Sequence, residues 1–442
     1  MQLSVPGTVV RSWFGILLCL VTLVPGTSSP SLGDEPAPDQ PSQTATPAAQ
    51  SAQAKPALEQ PAGSATNGDQ GTEGGVLRAT ERTWPMFRGN IEATGVAVSP
   101  LPDQLQLLWK YELPGGSFQS AAAIVDGVVY LADAAGKVVA LNLSDGVQRW
   151  QVEASIGFSA APTVYQQRIY LGDVEGKFHC LKAEDGQSIW NMSVNSEIDS
   201  SATIYQGQVL FGAQNAILYC LKADSGQQVW QYEIGDQIRC SPSIAGQYTF
   251  VAGCDAQLHV IDLQTGQLVR SVPIDGPTGS TPAVSGDMAY FGTESGTVFG
   301  INWQKGEVVW KYAGERKSQS VRSSAALEGG LVVVGSRARR VYGLAAETGE
   351  VKWSFSTRKM VDSSPVVVGQ RVFVGSSDGR IYGLELASGK LLWEYETTGP
   401  VSASPAVADG KLIIANEQGV VYCFGQKEPA GSEPAGRETR GS

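Results

Sequence analysis

The chain has 442 residues, 52 of them glycine, with only 17% charged residues and a formal net charge of −11. That mixture favours a turn-rich β fold over a helical bundle. Its acidity excludes general nucleic-acid binding, which needs a basic surface.

Arg11 precedes an apolar run from Trp13 to Val24, followed by small and turn-forming residues at Pro25–Ser29. The run is short for a membrane span and has the length of a signal-peptide core, so residues 1–29 are read as an export signal or, uncleaved, as a short anchor. Membrane association is expected only through that uncleaved N-terminus. Cys19 lies inside the run, behind Leu18, which does not match a lipid-modified cysteine. Residues 30–83 are rich in Pro, Ala, Gln, Ser and Gly and poor in large apolar side chains. Such a segment buries too little to offset its ordering entropy, and it is predicted to be a disordered linker. Residues 84–104 form a lead-in, and residues 426–442 resemble the linker.

Between these lies an internal repeat over residues 105–425. Tryptophans stand at Trp109, Trp150, Trp190, Trp230, Trp310, Trp353 and Trp393, and Arg270 occupies the one skipped position. The segments before them share one form: CLKAEDGQSIW, CLKADSGQQVW, GLAAETGEVKW and GLELASGKLLW are four of seven. Each unit of roughly 40 residues reads as four short strands separated by Asp-Gly and Ser-Gly turns, which is the pattern of a propeller blade. The predicted fold is an all-β, eight-bladed β-propeller. Seven repeats are complete; the eighth, Val401 to Phe424, supplies three strands. Its outer strand is expected from residues 105–113, which carry Trp109 and would close the ring. Proline or alanine recurs at one position of each first strand (Pro162, Pro242, Pro282, Pro365, Pro405; Ala122, Ala202, Ala325), as suits an edge beside a central channel.

His179 and His259 share a repeat position with Val139, Tyr219, Phe299 and Tyr342, so both are read as packing residues. Cys180, Cys220 and Cys423 share the next position and are read as small buried residues. No metal-ligand spacing occurs. The second turns are mostly acidic (Asp133, Asp173, Glu175, Asp255, Glu294, Asp378, Glu417), but blade six reads Ser336-Arg337-Ala338-Arg339-Arg340. Arg316 and Lys317 in a three-residue insertion, with Arg358 and Lys359 in the next inter-blade loop, extend this into a basic sector. The same face should carry the channel mouth, where one repeat position includes Asp199, Arg239, Arg322 and Asp362. Asp199 and Arg239 are expected to compensate each other.

The repeat resembles the PQQ-like β-propeller repeats of quinoprotein dehydrogenases and of BamB-type outer-membrane assembly proteins, over about residues 105–425. The lead-in WPMFRGN, followed by Thr94-Gly95, is similar to that of exported members. The resemblance implies one of two functions. Quinoprotein dehydrogenases hold PQQ and calcium on the axis and oxidise alcohols or sugars; BamB-like members are cofactor-free docking platforms. This sequence has no long insertions between blades, no adjacent cysteines and no CxxCH haem motif. The expected function is therefore an exported, monomeric, non-catalytic propeller in the periplasm or cell envelope that binds a protein or envelope component, with no cofactor. A PQQ–calcium oxidoreductase with a reduced site and a carbohydrate-binding or sensor propeller are the alternatives.

Overall fold

Every blade starts from the same local chemistry. In blade 1, Asp126 and Gly127 both take positive φ, 51° and 71°, which makes the tight turn joining Ala123–Val125 to Val128–Ala132. The computed structural model describes residues 72–73, 76–314 and 319–427. The signal segment, nearly all of the linker, most of the tail, and Arg316 and Lys317 lie outside the described residues.

Eight antiparallel four-stranded sheets form the blades, and no helix occurs among the described residues. Each inner strand has three residues and begins just after the recurring Pro or Ala. The two middle strands are almost wholly buried, whereas the outer strand alternates exposed and half-buried residues. Stacking of blade on blade supplies the burial that one sheet cannot provide. Blade 8 closes as the repeat predicts. Its strands Ala406–Ala408, Lys411–Ala415 and Val420–Gly425 are completed by Gln106–Glu112, with Trp109 opposite Cys423. In all eight blades the outer pair shifts register beside the tryptophan position, as between Cys180 and Leu181 opposite Trp190. Such a bulge spoils the free edge as a template for further strand pairing.

The tryptophans tie each blade to the next. Trp230 Nε1 donates to Leu263 O at 2.8 Å, Trp310 to Ala346 O at 2.8 Å, and Trp393 to Leu105 O at 3.2 Å across the closure. All of these indoles but that of Trp393 lie on a turn glycine: a Cβ at Gly146 would stand 2.5 Å from the Trp109 ring, and its φ is +72°. At the irregular fourth blade, Arg270 Nη1 donates to Lys305 O at 3.3 Å, in the place of an indole N–H. Blade 4 is not left loose there. Trp303, where other blades carry Leu or Ala, packs edge-on against Phe250 with centroids 5.1 Å apart. It restores the aromatic bulk that Arg270 lacks.

The linker boundary expected at residue 83 falls too late. Leu77 and Thr83 are already buried, and Val76 pairs with Tyr205 on blade 3. The segment from Val76 to Ala97 crosses one end of the channel and bonds to all eight blades at or beside their inner strands. Trp84 exchanges two backbone bonds with Ile124 of blade 1. The carbonyls of Pro85, Ile91, Glu92, Thr94 and Gly95 accept from Val164, Ile244, Val284, Leu327 and Val367 of blades 2, 4, 5, 6 and 7, and that of Glu81 accepts from Asp409 of blade 8. These carbonyls satisfy amides that would otherwise be unpaired at the sheet edges. The segment is a plug.

Candidate functional site

The plug makes the channel blind. The open end is a polar pocket of about 160 Å³, with Phe87 of the plug among its lining residues. The mouth ring runs Gln119, Ser159, Asp199, Arg239, Gly279, Arg322, Asp362, Ser402, one residue per blade. All four charged residues expected at the mouth are therefore there. Two residues deeper lies a ring of small side chains: Ala121, Ala161, Ser201, Ser241, Thr281, Ser324, Ser364 and Ser404. From blade 2 to blade 8 this ring is laced circumferentially. Each backbone N–H donates to the hydroxyl of the next blade at 2.9–3.0 Å, from Ala161 to Ser201 and onward to Ser364 and Ser404.

Beside Phe87, Arg88 is fully buried, and its Nη2 donates to Ala325 O at 2.9 Å and Pro365 O at 2.7 Å. Its Nε and Nη1, and Trp84 Nε1, have no partner among the described residues. Burial pushes the guanidinium down to about 9, so it remains charged at neutral pH. Gly95 is required beside it: φ is +66°, and a Cβ would sit 1.8 Å from Arg88 Nη2.

Expected partners at the mouth change. Asp199 and Arg239 form no ion pair. Asp199 accepts from Ser159 at 2.6 Å and from Gln214 at 2.8 Å, whereas Arg239 donates to Gln237. Arg322 pairs with Glu294 at 2.8 Å. Glu197 is raised above the usual carboxylate range by burial and by neighbouring Asp199.

The basic sector resolves into different roles. Arg337 is held bidentate on Asp362, both bonds 2.8 Å, so it closes the rim. Arg340 donates to Ser354 and Ser356. Arg339, Arg358 and Lys359 are exposed. Arg339 has φ 64°, at the turn position where blades 1, 2, 5, 7 and 8 have glycine (Gly136, Gly176, Gly296, Gly379, Gly419). The second-turn acids are weaker surface charges than the sequence suggests. Asp133 and Asp173 are buried turn caps, Asp173 accepting from the Lys177 amide and contacting His179 at 2.7 Å. Burial opposes its charge, but these bonds hold the carboxyl below the usual range. Asp255 likewise meets His259 at 2.8 Å. The two histidines pack as expected, but the sequence reading missed their carboxylate partners. The i, i+4 and i, i+6 Asp–His spacings were the available signal.

Among the described residues no three His, Cys, Asp or Glu side chains gather to hold a metal ion. The cysteines Cys180, Cys220, Cys240 and Cys423 are buried free thiols, and Cys254 is half-buried.

The family model described as outer membrane protein assembly factor BamB matches residues 96–241, 214–356 and 317–425. The chain is similar to the crystal structure of BamB from Moraxella catarrhalis (21% identity, 74% of this chain and 99% of that one, TM-score 0.63). It is also similar to the quinohemoprotein alcohol dehydrogenase of Comamonas testosteroni (13% identity, 80% and 83%, TM-score 0.65) and to the ADHIIG enzyme of Pseudomonas putida HK5 (14%, 81% and 82%, TM-score 0.65). At these identities the likeness is one of fold. None of the curated proteins compared matches the chain.

Proposed function

The chain belongs to the family of the outer membrane protein assembly factor BamB, and we propose that it is an exported, non-catalytic propeller of the cell envelope that docks a protein partner on its mouth face. The observation that carries this reading is the exposed set Arg339, Arg358 and Lys359 between blades 6 and 7. Arg339 stands in a left-handed turn position, which costs a side-chain-bearing residue about 1 kcal/mol or more. Clustered like charge beside such a position steers an acidic partner. Arg316 and Lys317, next to this sector in the sequence, belong to the same proposal.

The proposed function needs no PQQ or calcium, and the channel lining supports that. A pocket of about 160 Å³ falls below the roughly 300–1,000 Å³ of sites for drug-sized ligands. Calcium needs six to eight oxygens around one ion. The two rim aspartates stand on blades 3 and 7, four blades apart, and Asp362 is already committed to Arg337.

The test of the docking surface is reversal of Arg339, Arg358 and Lys359 to Glu in the full chain, with covalent crosslinking in envelope fractions. The reading expects loss of the crosslinked partner while thermal stability is kept. Unchanged capture at unchanged expression would remove this surface.

A further inference from the structure

The channel wall carries unspent hydroxyl donors that the docking reading does not use. A serine or threonine hydroxyl has one O–H to donate and two lone pairs. Each hydroxyl of Ser201, Ser241, Thr281, Ser324, Ser364 and Ser404 accepts a neighbouring backbone N–H, so one lone pair is taken. None of the six donates its own proton to a protein acceptor among the described residues. All six are more than nine-tenths buried and line the blind pocket. Six O–H groups on adjacent blades therefore converge on one small space.

Two arginines at the rim add further donors. Arg239 and Arg322 flank Gly279 on blades 4 to 6, and Gly279 has no side chain to fill the gap. Arg322 spends Nε on Glu294, and Arg239 uses Nε and Nη2 on Gln237, so Nη1 of both and Nη2 of Arg322 remain. The carboxylates facing the same space are occupied: Asp362 by Arg337, and both oxygens of Asp199 by Ser159 and Gln214. Glu294, which holds Arg322, and Glu197, which interacts with Asp199 and Arg239, do not line the pocket itself. Beside the Phe87 side chain, Arg88 adds a buried positive charge with no carboxylate partner.

We infer that the blind channel is a binding site for one small oxyanion, a phosphate, sulfate or carboxylate group, seated between Arg239, Arg322 and the hydroxyl ring with Phe87 beside it. A sulfate or carboxylate brings only acceptors and a phosphate mostly acceptors, each with the negative charge that two arginines favour; a neutral polyol brings a donor with every hydroxyl and no charge. The enclosed volume suits a group of that size, either free or as the end of a larger molecule.

Calorimetric titration of the full chain with inorganic phosphate, sulfate and glycerol phosphate tests this, with erythritol as the neutral comparison. Expected is saturable binding of one phosphate per chain, weakened at least tenfold by Arg239→Gln with Arg322→Gln. Those exposed substitutions should leave the melting temperature unchanged. Thr281→Ser, which keeps the hydroxyl, should bind as wild type, and Thr281→Val should weaken binding. Tighter binding of glycerol phosphate would identify the phosphate as the end of a larger ligand; equal binding would identify the free ion. No saturable binding of any of the anions, equal binding of erythritol, or phosphate binding that survives loss of both arginines would each overturn the assignment. None of these outcomes bears on partner docking, so the two readings fail separately.

Discussion

The junction of blades 4 and 5 offers a sharp test of how the ring is held together, because Trp303 of blade 5 supplies the ring that Arg270 of blade 4 lacks. Trp303 packs against Phe250 and Tyr248, at 5.1 and 5.4 Å between centroids, where Arg270 brings no ring. In blade 5 the equivalent Tyr290 meets its own Trp310 at 5.9 Å. Burying an indole removes roughly 200 Å² of mainly apolar surface, which at about 25 cal/mol per Å² is an upper bound near 5 kcal/mol. Trp303→Leu keeps about half of that area and opens a gap, so it should cost about 3 kcal/mol. Arg270→Trp alone forces a second indole into occupied space and should cost about 1–3 kcal/mol. The double variant recreates the pattern of blade 3, where Trp230 docks beside Leu263. It should return to within about 1 kcal/mol of wild type. The signature is a favourable coupling of roughly 3–5 kcal/mol in a double-mutant cycle. Thermal and urea unfolding of the full chain reads it. With an unfolding entropy of about 2.1 cal/mol/K per residue, each kcal/mol is roughly 1.4 °C for a domain of this size, so Trp303→Leu should melt about 4 °C lower. Additive single effects would refute the idea that Trp303 replaces the missing docking tryptophan.

Gly95→Ala should release the plug, since its Cβ would overlap Arg88 and its φ is left-handed; limited proteolysis within residues 76–97 should accelerate several-fold, and an unchanged digest would contradict the plug's anchoring. Ser241→Ala leaves the buried Ser201 N–H without an acceptor and should cost about 1–3 kcal/mol, read as a lower melting temperature. Arg339→Gly removes left-handed strain and should raise stability by up to about 1 kcal/mol while weakening partner capture; capture unchanged by this variant would count against Arg339 in docking. Burial pushes the thiols of Cys220, Cys240 and Cys423 up to about 12. The folded state keeps these protons while the unfolded chain loses them above the thiol value of 9.0. Stability is therefore intact below pH 9 and falls above it, by up to about 1.4 kcal/mol per pH unit for each thiol. Cys423→Ala should flatten that slope in melting experiments between pH 9 and 11, and a slope identical to wild type would refute the assignment.

The tryptophan register made the blades, their strand count and the closure by residues 105–113 legible, because each blade solves the same burial problem with the same residues. The plug was not legible in that way. WPMFRGN has no period to compare with, and the segment from Val76 to Ala97 that contains it is held by backbone pairing to eight separate blades. Composition placed the end of the linker at residue 83, since Val76, Leu77 and Thr83 are too few to lift a polar average; their burial depends on blades more than 40 residues away. The mouth ring was legible as a list of positions. Its pairing was not, because Gln214 and Gln237, neutral in the sequence, take the bonds that Asp199 and Arg239 were expected to make together. The second-turn acids misled for a related reason: a carboxylate in a turn serves the nearest amides first, as Asp173 does for Glu175 and Lys177.

The fold is shared by assembly factors and by quinoprotein oxidoreductases, so the most direct measurement is titration of the purified full chain with PQQ and calcium, followed by a dye-linked alcohol and sugar oxidation assay. The docking account predicts no saturable PQQ binding and no turnover. A stoichiometric PQQ–calcium complex that oxidises either substrate class would contradict it and make the channel a cofactor site.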